Sequence, residues 1–436
     1  MTPANPSVAH EKRLLFVLAA VQFCHIIDFM IIMPLGKTIM QEFAISPGQF
    51  AWVVSAYAGA ALTGNLISTA FIDRFDRRSA LLFLFCGFTV GTLACAFAPN
   101  YGSLLVFRAA TGVFGGTLGA LVLAIVGDVI PLARRGAAMG WVMTAFSAAS
   151  VVGVPSGIWI AAEYGWQSPF FVTAAISGLF VLLAWFVVPS LRGHLQGARA
   201  QVQGEVDQSR VEAEASTALA GADLPPRGEA TAPRPAPRRN PFVRILADPN
   251  QRAALLFTFT LMLGHFTVIP FIAPYMQINI GFADKEVSLI YLIGGLLTVV
   301  LLPLFGRVAD RFGHFRVFTV ASGFALFSIF ALTNLATDSM AVALLTTSSF
   351  FVVASGRSVP ATTLITSVVR PENRGGFMSI RQSVNEMALF LSTVVAGFII
   401  TEDAAGRLEH YNWLGYFTIL MSIVAVFTAS RIRSVS

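Results

Sequence analysis

Apolar residues in this chain come in runs of about twenty, separated by short polar stretches. A helix that crosses a bilayer needs roughly 20 mostly apolar residues, and twelve runs satisfy that. Six lie near 14–36, 49–71, 79–98, 103–126, 137–161 and 168–189. Six more lie near 253–276, 286–305, 316–335, 340–364, 376–400 and 412–430. Residues 190–250 break the pattern: they are rich in Ala, Pro, Arg and Glu and hold no sustained apolar period. Their first part has the composition of a polar helix. Their second part, Leu224 to Pro241, repeats Pro and reads as an extended linker.

The two sets of runs are related to each other. Phe71-Ile72-Asp73-Arg74-Phe75-Asp76-Arg77-Arg78 follows the second run and is echoed by Gly306-Arg307-Val308-Ala309-Asp310-Arg311-Phe312-Gly313-His314, with 237 residues from Asp73 to Asp310. Arg135-Gly136-Ala137-Ala138-Met139 pairs with Arg374-Gly375-Gly376-Phe377-Met378. Trp166 and Phe170 pair with Trp413 and Phe417. All offsets are near 240 and keep their order. An even number of spans per half means both halves enter from the same side. They are therefore parallel repeats about an axis along the membrane normal, with a substrate site expected near the midplane between them. The predicted fold is all-α membrane, with twelve transmembrane helices in two parallel six-helix repeats. The predicted units are an N-terminal half over 1–189, a partly disordered linker over 190–250 and a C-terminal half over 251–436.

Composition agrees: 56% of residues are hydrophobic, 12% are charged and the mean hydropathy is +0.72, where a soluble domain carries roughly a quarter charged residues. A net charge of +6 raises nucleic acid as a partner, but the positions of the bases argue for the membrane instead. Lys12, Arg13, Arg74, Arg77, Arg78, Arg134, Arg135, Arg307, Arg311, Arg316, Arg370, Arg374, Arg431 and Arg433 fall in alternate loops and the termini, and further Arg fill the central loop. The other loops hold little beyond Lys37, Lys285 and Arg407. This bias places both termini and the central loop in the cytoplasm. Lys12 and Arg13 ahead of an apolar run mimic a signal peptide, but the run is too long and lacks a cleavage site. Trp52, Trp166 and Trp413 fall near run ends, as interfacial anchors would. Cys24, Cys86 and Cys95 lie inside runs without CxxC spacing, so no metal or redox pair is expected. The basic stretch from Arg234 to Arg239 reads as a solvated linker, or as a site for anionic headgroups.

Taken together, the chain resembles a major facilitator superfamily transporter over nearly its whole length, and within it the bacterial twelve-span drug/proton antiporters and sugar efflux proteins. The family's loop motif G-x-L-A-D-R-x-G-R-K is matched by Thr69 to Arg78 in its acid and bases, with Thr69 and Asp76 in place of the glycines. The second copy keeps both, as Gly306 and Gly313. Arg108-Ala109-Ala110-Thr111-Gly112-Val113-Phe114-Gly115 resembles the span-four motif, whose Arg the family associates with proton coupling. Gly153-Val154-Pro155-Ser156-Gly157 resembles the span-five motif of exporters, and Asp28 the span-one acid of drug/proton antiporters. The resemblance implies alternating access by rocking halves, no cofactor, and a cavity lined by spans one, four, seven and ten. It also implies a latch at the cytoplasmic face. Asp73 would face the start of span eleven near Arg374 and Gly375, and Arg77 or Arg74 would pair with Asp128. Asp310, beside Arg311, would face Gly136. Such contacts would hold only while that face is closed.

No Walker A, HExxH or GxSxG pattern occurs, so neither ATP hydrolysis nor intramembrane catalysis is expected. Ionisable residues inside the spans are then the informative ones, each costing about 2.5–3.5 kcal/mol on insertion scales unless partnered or wetted. Gln22, His25 and Asp28 are spaced three apart on one helix face. Arg108, His265, Arg357, Arg381 and Glu386 follow in later runs. Asp28 with Arg108 reads as a proton-coupling pair or as a structural ion pair, and His25 as a relay or a packed histidine. Gln22, His265, Arg357 and Glu386 are candidate cavity residues, with Arg381 or Arg357 as partner for Glu386. Gly112 and Gly116 read as helix-packing positions. Gly153, Pro155 and Gly157 read as a bend. The expected function is proton-coupled export of small organic molecules by a monomer in the lipid bilayer. The alternatives are import or uniport of a small organic anion, and a non-transporting receptor or scaffold on the same fold.

Overall fold

The computed structural model describes residues 8–71, 74–191, 245–369 and 374–433. Among the described residues, twelve helices are long and apolar enough to cross a membrane. Spans 1 to 4 are Val8–Ile31, Pro47–Phe71, Arg77–Ala96 and Tyr101–Val129. Span 5 runs through Leu132–Ala148, Ala149–Gly153 and Val154–Tyr164, and span 6 is Ser168–Val187. Span 7 runs through Pro249–Tyr275 and Met276–Ile280. Spans 8 to 12 are Asp284–Phe312, His314–Thr333, Met340–Thr366, Arg374–Ile399 and Tyr411–Ala429. The predicted linker lies mostly outside the described residues.

Local chemistry sets the helix ends. Span 4 opens on a reciprocal capping box: Ser103 N–H donates to the Asn100 side chain at 2.9 Å, and Asn100 N–H to Ser103 Oγ at 3.2 Å. Asp248 caps span 7 by accepting from Asn250 and Gln251 N–H. The loop motif closes differently in its two copies. Gly313 turns from span 8 into span 9 at φ +92°, a conformation that favours glycine. Asp76, at the matching place in the first copy, sits at φ −58° and caps span 3 by accepting from Arg78 N–H at 3.1 Å. It also accepts from Leu191 N–H at 2.8 Å and Ser190 Oγ at 2.6 Å, which fastens this turn to the end of span 6.

Three expectations need correction. The first span stops at Ile31, not near 36, and a short helix Gly36–Phe43 follows. Pro34 cannot continue the helical ladder, and it restricts Met33 before it. Trp166 is no interfacial anchor: it is 2% exposed and meets Phe43 of that short helix edge-on at 5.4 Å. Trp52 and Trp413 do remain exposed. A small hairpin, Thr401–Glu402 with Leu408–Glu409, joins spans 11 and 12 where only a loop was read.

Prolines in spans 5 and 7 adjoin π-helical turns, whereas Pro303 of span 8 and Pro360 of span 10 sit in continuous α-helix. Pro155 offers no N–H to the turn before it, and Ala149–Gly153 is π-helical. Pro270 and Pro274 precede the π turn Met276–Ile280, which Gly281 closes in the left-handed region.

Among the described residues, the halves meet from mid-span toward one end. Gly48 approaches the Gly397 carbonyl closely, and Gly59 packs under Phe390, joining span 2 to span 11. Ser288 Oγ donates to the Pro155 carbonyl at 2.8 Å, and Gly295 abuts Ser150 and Val151, joining span 8 to span 5. Phe50 and Phe271 meet at 6.0 Å, and Lys285 pairs with Glu163. These residues run from mid-span to the ends carrying Lys37 and the hairpin, away from the arginine-rich loops. Buried apolar residues agree. One cluster there draws on both halves, from Ile31 and Phe50 to Phe271 and Tyr411. Toward the arginine-rich end the clusters separate, one within the first half and one within the second. Among the described residues the two halves form a wedge, sealed at one end and parted at the arginine-rich end.

Candidate transport site

Span 1 brings Asp28 against span 4. Its carboxylate has no solvent exposure and takes Arg108 Nη1 at 2.8 Å on one oxygen and Thr92 Oγ1 at 3.0 Å on the other. The same Nη1 lies 3.3 Å from the Asp28 carbonyl. The Arg108 guanidinium sits 4.7 Å over the Tyr57 ring, a cation–π contact that is strongest when desolvated. Charge is thus neutralised by one acid, one hydroxyl and one aromatic face, drawn from spans 1, 2, 3 and 4. Arg108 is only seven residues into span 4, about 10 Å along its axis. The pair therefore lies toward the sealed end, beneath the apolar cluster shared by both halves.

From the parted end a column of polar atoms leads to it. Gln22 and His25 stand about two turns and one turn before Asp28, respectively, on the same face. Gln22 Oε1, His25 Nδ1 and the Tyr57 hydroxyl are all buried without a hydrogen-bond partner. The His25 ring lies 6.2 Å from Tyr57 and 6.4 Å from Phe88. Gly115 of span 4 packs against Tyr57 and His25, where a Cβ would overlap the Tyr57 hydroxyl, and Gly119 lies beside Gln22 and His25.

Backbone approach fixes this arrangement. A Cβ on Gly112 would overlap the Tyr57 carbonyl, and one on Gly116 would lie 2.5 Å from Ala61 Cβ. Span 4 therefore presses directly on span 2, as small-residue spacings permit. Gly153 and Gly157 similarly accept Ile27 and Ile31 of span 1 beside the π turn.

The second half contributes a different set. His265 stacks on Phe350 at 6.1 Å, and the neighbouring Phe266 reaches Phe29 of span 1 at 6.2 Å. Arg357 is fully buried and donates to Ser422 Oγ at 3.0 Å. Glu386 does not pair with Arg357 or Arg381. Its oxygen accepts from Gln382 Nε2 at 2.7 Å, four residues back on the same helix. Arg381, five residues back, is about 140° around the axis and points elsewhere, with Met378 Sδ at 3.9 Å from its Nη1.

At the parted end, Arg77 Nε binds Asp128 at 3.0 Å within the first half. Arg134 holds Glu11 through two bonds of 2.8 and 3.0 Å, tying span 5 to span 1. Asp73 lies outside the described residues, and so does the contact expected of it with the Arg374 region. Arg74 and Asp310 are exposed, Arg311 lies 5.3 Å over Phe312, and no atom comes within 4 Å of a Cβ placed on Gly136. The second-copy contact between Asp310 and the start of span 5 is thus open here.

Sequence reading missed Thr92, Tyr57, Ser422 and the Phe29–Phe266 contact. Neutral residues inside uniformly apolar runs carry no mark of which way they face. It also missed a cleft of about 650 Å³ at the sealed end, between the short helix, Gln277 and the hairpin.

Known proteins share this architecture. The D-xylose–proton symporter superposes with a TM-score of 0.71, covering 98% of this chain and 99% of that one at 16% identity. The inward-open xylose transporter XylE from E. coli gives 0.67 over 98% and 96% at 15% identity. The MFS-type transporter YceJ of Bacillus subtilis (strain 168) is 22% identical over 92% of this chain and 91% of its own length. The inner membrane transport protein YdhP of Escherichia coli (strain K12) is 30% identical over 35% of this chain and 39% of its own. The Major Facilitator Superfamily family model matches residues 18–356 and 254–434. With twelve spans and a match along nearly the whole chain, this protein belongs to the Major Facilitator Superfamily, as a multi-pass membrane transporter.

Proposed function

We propose that the protein is a proton-coupled exporter of small organic molecules, with Asp28 as the proton site and Arg108 as its switchable partner. The observation that carries this reading is the fully buried pair at 2.8 Å, reached from the parted end by the unpartnered atoms of Gln22, His25 and Tyr57. A carboxylate can leave a guanidinium in a dry site only by taking up a proton. Rocking the halves would change the water and the Tyr57 contact around the pair, and so its protonation. The arginine bias of the parted end supports a cytoplasmic orientation for it and for both termini. The wedge is then open inward, in an inner membrane, as the name of the YdhP relative suggests. Closure of that end would bring Asp310 toward Gly136, and Asp73 toward the start of span 11, where a helix N-terminus favours a carboxylate.

Direction is the test. Inside-out vesicles with an acidified lumen are expected to accumulate substrate; loss of accumulation on acidification would overturn antiport. The second reading, uptake of an organic anion, is favoured by the uncompensated Arg357 and would show the opposite dependence.

A further inference from the structure

Two arginines are wholly buried inside the spans, and they differ in one respect. Arg108 has Asp28. Arg357 has no carboxylate within ion-pair distance among the described residues. Its nearest hydrogen-bond partner is the neutral Ser422 hydroxyl at 3.0 Å on Nη1. A buried charge without a counter-charge is costly to maintain, and a single hydroxyl does not offset it. The acid that sequence reading offered, Glu386, is engaged by Gln382.

The vacancy has a shape. The Arg357 atoms left without acceptors are Nε and Nη2. These form the side edge of the guanidinium, whose two parallel N–H groups match the two oxygens of one carboxylate. His265 stacks on Phe350, two turns before Arg357 on span 10, and its Nδ1 is also buried and unpartnered. Arg357 stands near the middle of span 10, between spans 7 and 12 and at the depth where repeat transporters hold their substrates.

We propose that Arg357 seats a carboxylate of the transported molecule on its Nε–Nη2 edge, with His265 alongside. The substrate class is then a small organic carboxylate. This rests on the transporter reading above and deepens it; it is independent of which residue carries the proton. Because Arg357 has no exposure in this conformation, occupancy must open span 10 locally against spans 7 and 12.

The test uses the purified full-length protein in detergent, without any gradient. Acetate, benzoate, salicylate and succinate are titrated by calorimetry and by thermal unfolding, with acetamide and benzamide as matched neutral controls, and with chloride and phosphate as resident-ion controls. At least one carboxylate is expected to bind saturably and raise the melting temperature, while its amide does not. Arg357→Gln is expected to weaken that binding at least tenfold, and Arg357→Lys to retain part of it. Arg357→Gln should itself melt at or above the wild-type temperature, since it removes an unpaired buried charge, which reports that it folds. Binding is read at equilibrium without a gradient, so failure of proton coupling leaves this result untouched and the two readings fail separately. Absence of binding by every carboxylate, or binding unchanged in Arg357→Gln, overturns the proposal. Binding of chloride or phosphate alone, lost in Arg357→Gln, also overturns it and makes the site one for a resident inorganic ion.

Discussion

At the scale of single residues, Asp28 and Arg108 are worth more together than apart. Removing one partner of a buried pair strands the other, at about 3–5 kcal/mol. Arg108→Met is therefore expected to lower the melting temperature in detergent sharply, and Asp28→Asn/Arg108→Met to recover most of the loss. If the double variant melts as low as the single one, Arg108 acts by packing on Tyr57 and not by charge. These two residues were legible in the sequence because a charge within an apolar run must have a reason. Thr92, Tyr57 and Ser422 were not legible. In a soluble helix the polar face marks the outside, but here lipid-facing and core-facing positions are both apolar. Azimuth, and with it every neutral partner, is lost from the pattern. Glu386 shows the reverse hazard: its depth was readable, but its partner was assigned by charge, and the amide four residues back is nearer.

At the scale of elements, close helix approach holds the site in register. Gly112→Leu is expected to force span 4 off the Tyr57 carbonyl, costing at least 2 kcal/mol as overpacking does, with loss of folded protein in detergent. Gly127→Leu, where a Cβ meets nothing within 4 Å, is expected to be tolerated and serves as its control. Asp76→Ala removes a cap and is expected to cost about 1 kcal/mol. Asp76→Gly should cost less as a cap, because glycine is itself a favoured N-cap residue. Twelve spans and their repeat were legible from hydropathy and from offsets near 240, because lipid imposes both length and polarity. Ends were less so. Hydropathy continues through Met33-Pro34-Leu35, and only the backbone chemistry of Pro34 stops the helix. The hairpin Thr401–Glu402 with Leu408–Glu409 is too short to leave a strand pattern.

At the scale of the whole molecule, the sealed end and the parted end are alternatives between which the halves must rock. In a background lacking Cys24, Cys86 and Cys95, the pair Gly136→Cys and Asp310→Cys is expected to cross-link poorly in the conformation described here. Its cross-linking should rise when the sealed end is weakened by Ser288→Ala, which removes the hydrogen bond to Pro155. Equal cross-linking in both backgrounds would mean that the arginine-rich end does not close as the other opens. The central claim, that Asp28 couples protons to movement of substrate, is tested most directly in proteoliposomes with an acidic lumen and a trapped pH indicator, challenged with a panel of small organic acids. Wild-type protein is expected to alkalinise the lumen on addition of at least one compound, and Asp28→Asn, reconstituted to the same level and still binding that compound, is expected to give no such signal. Undiminished compound-dependent alkalinisation in Asp28→Asn would contradict it.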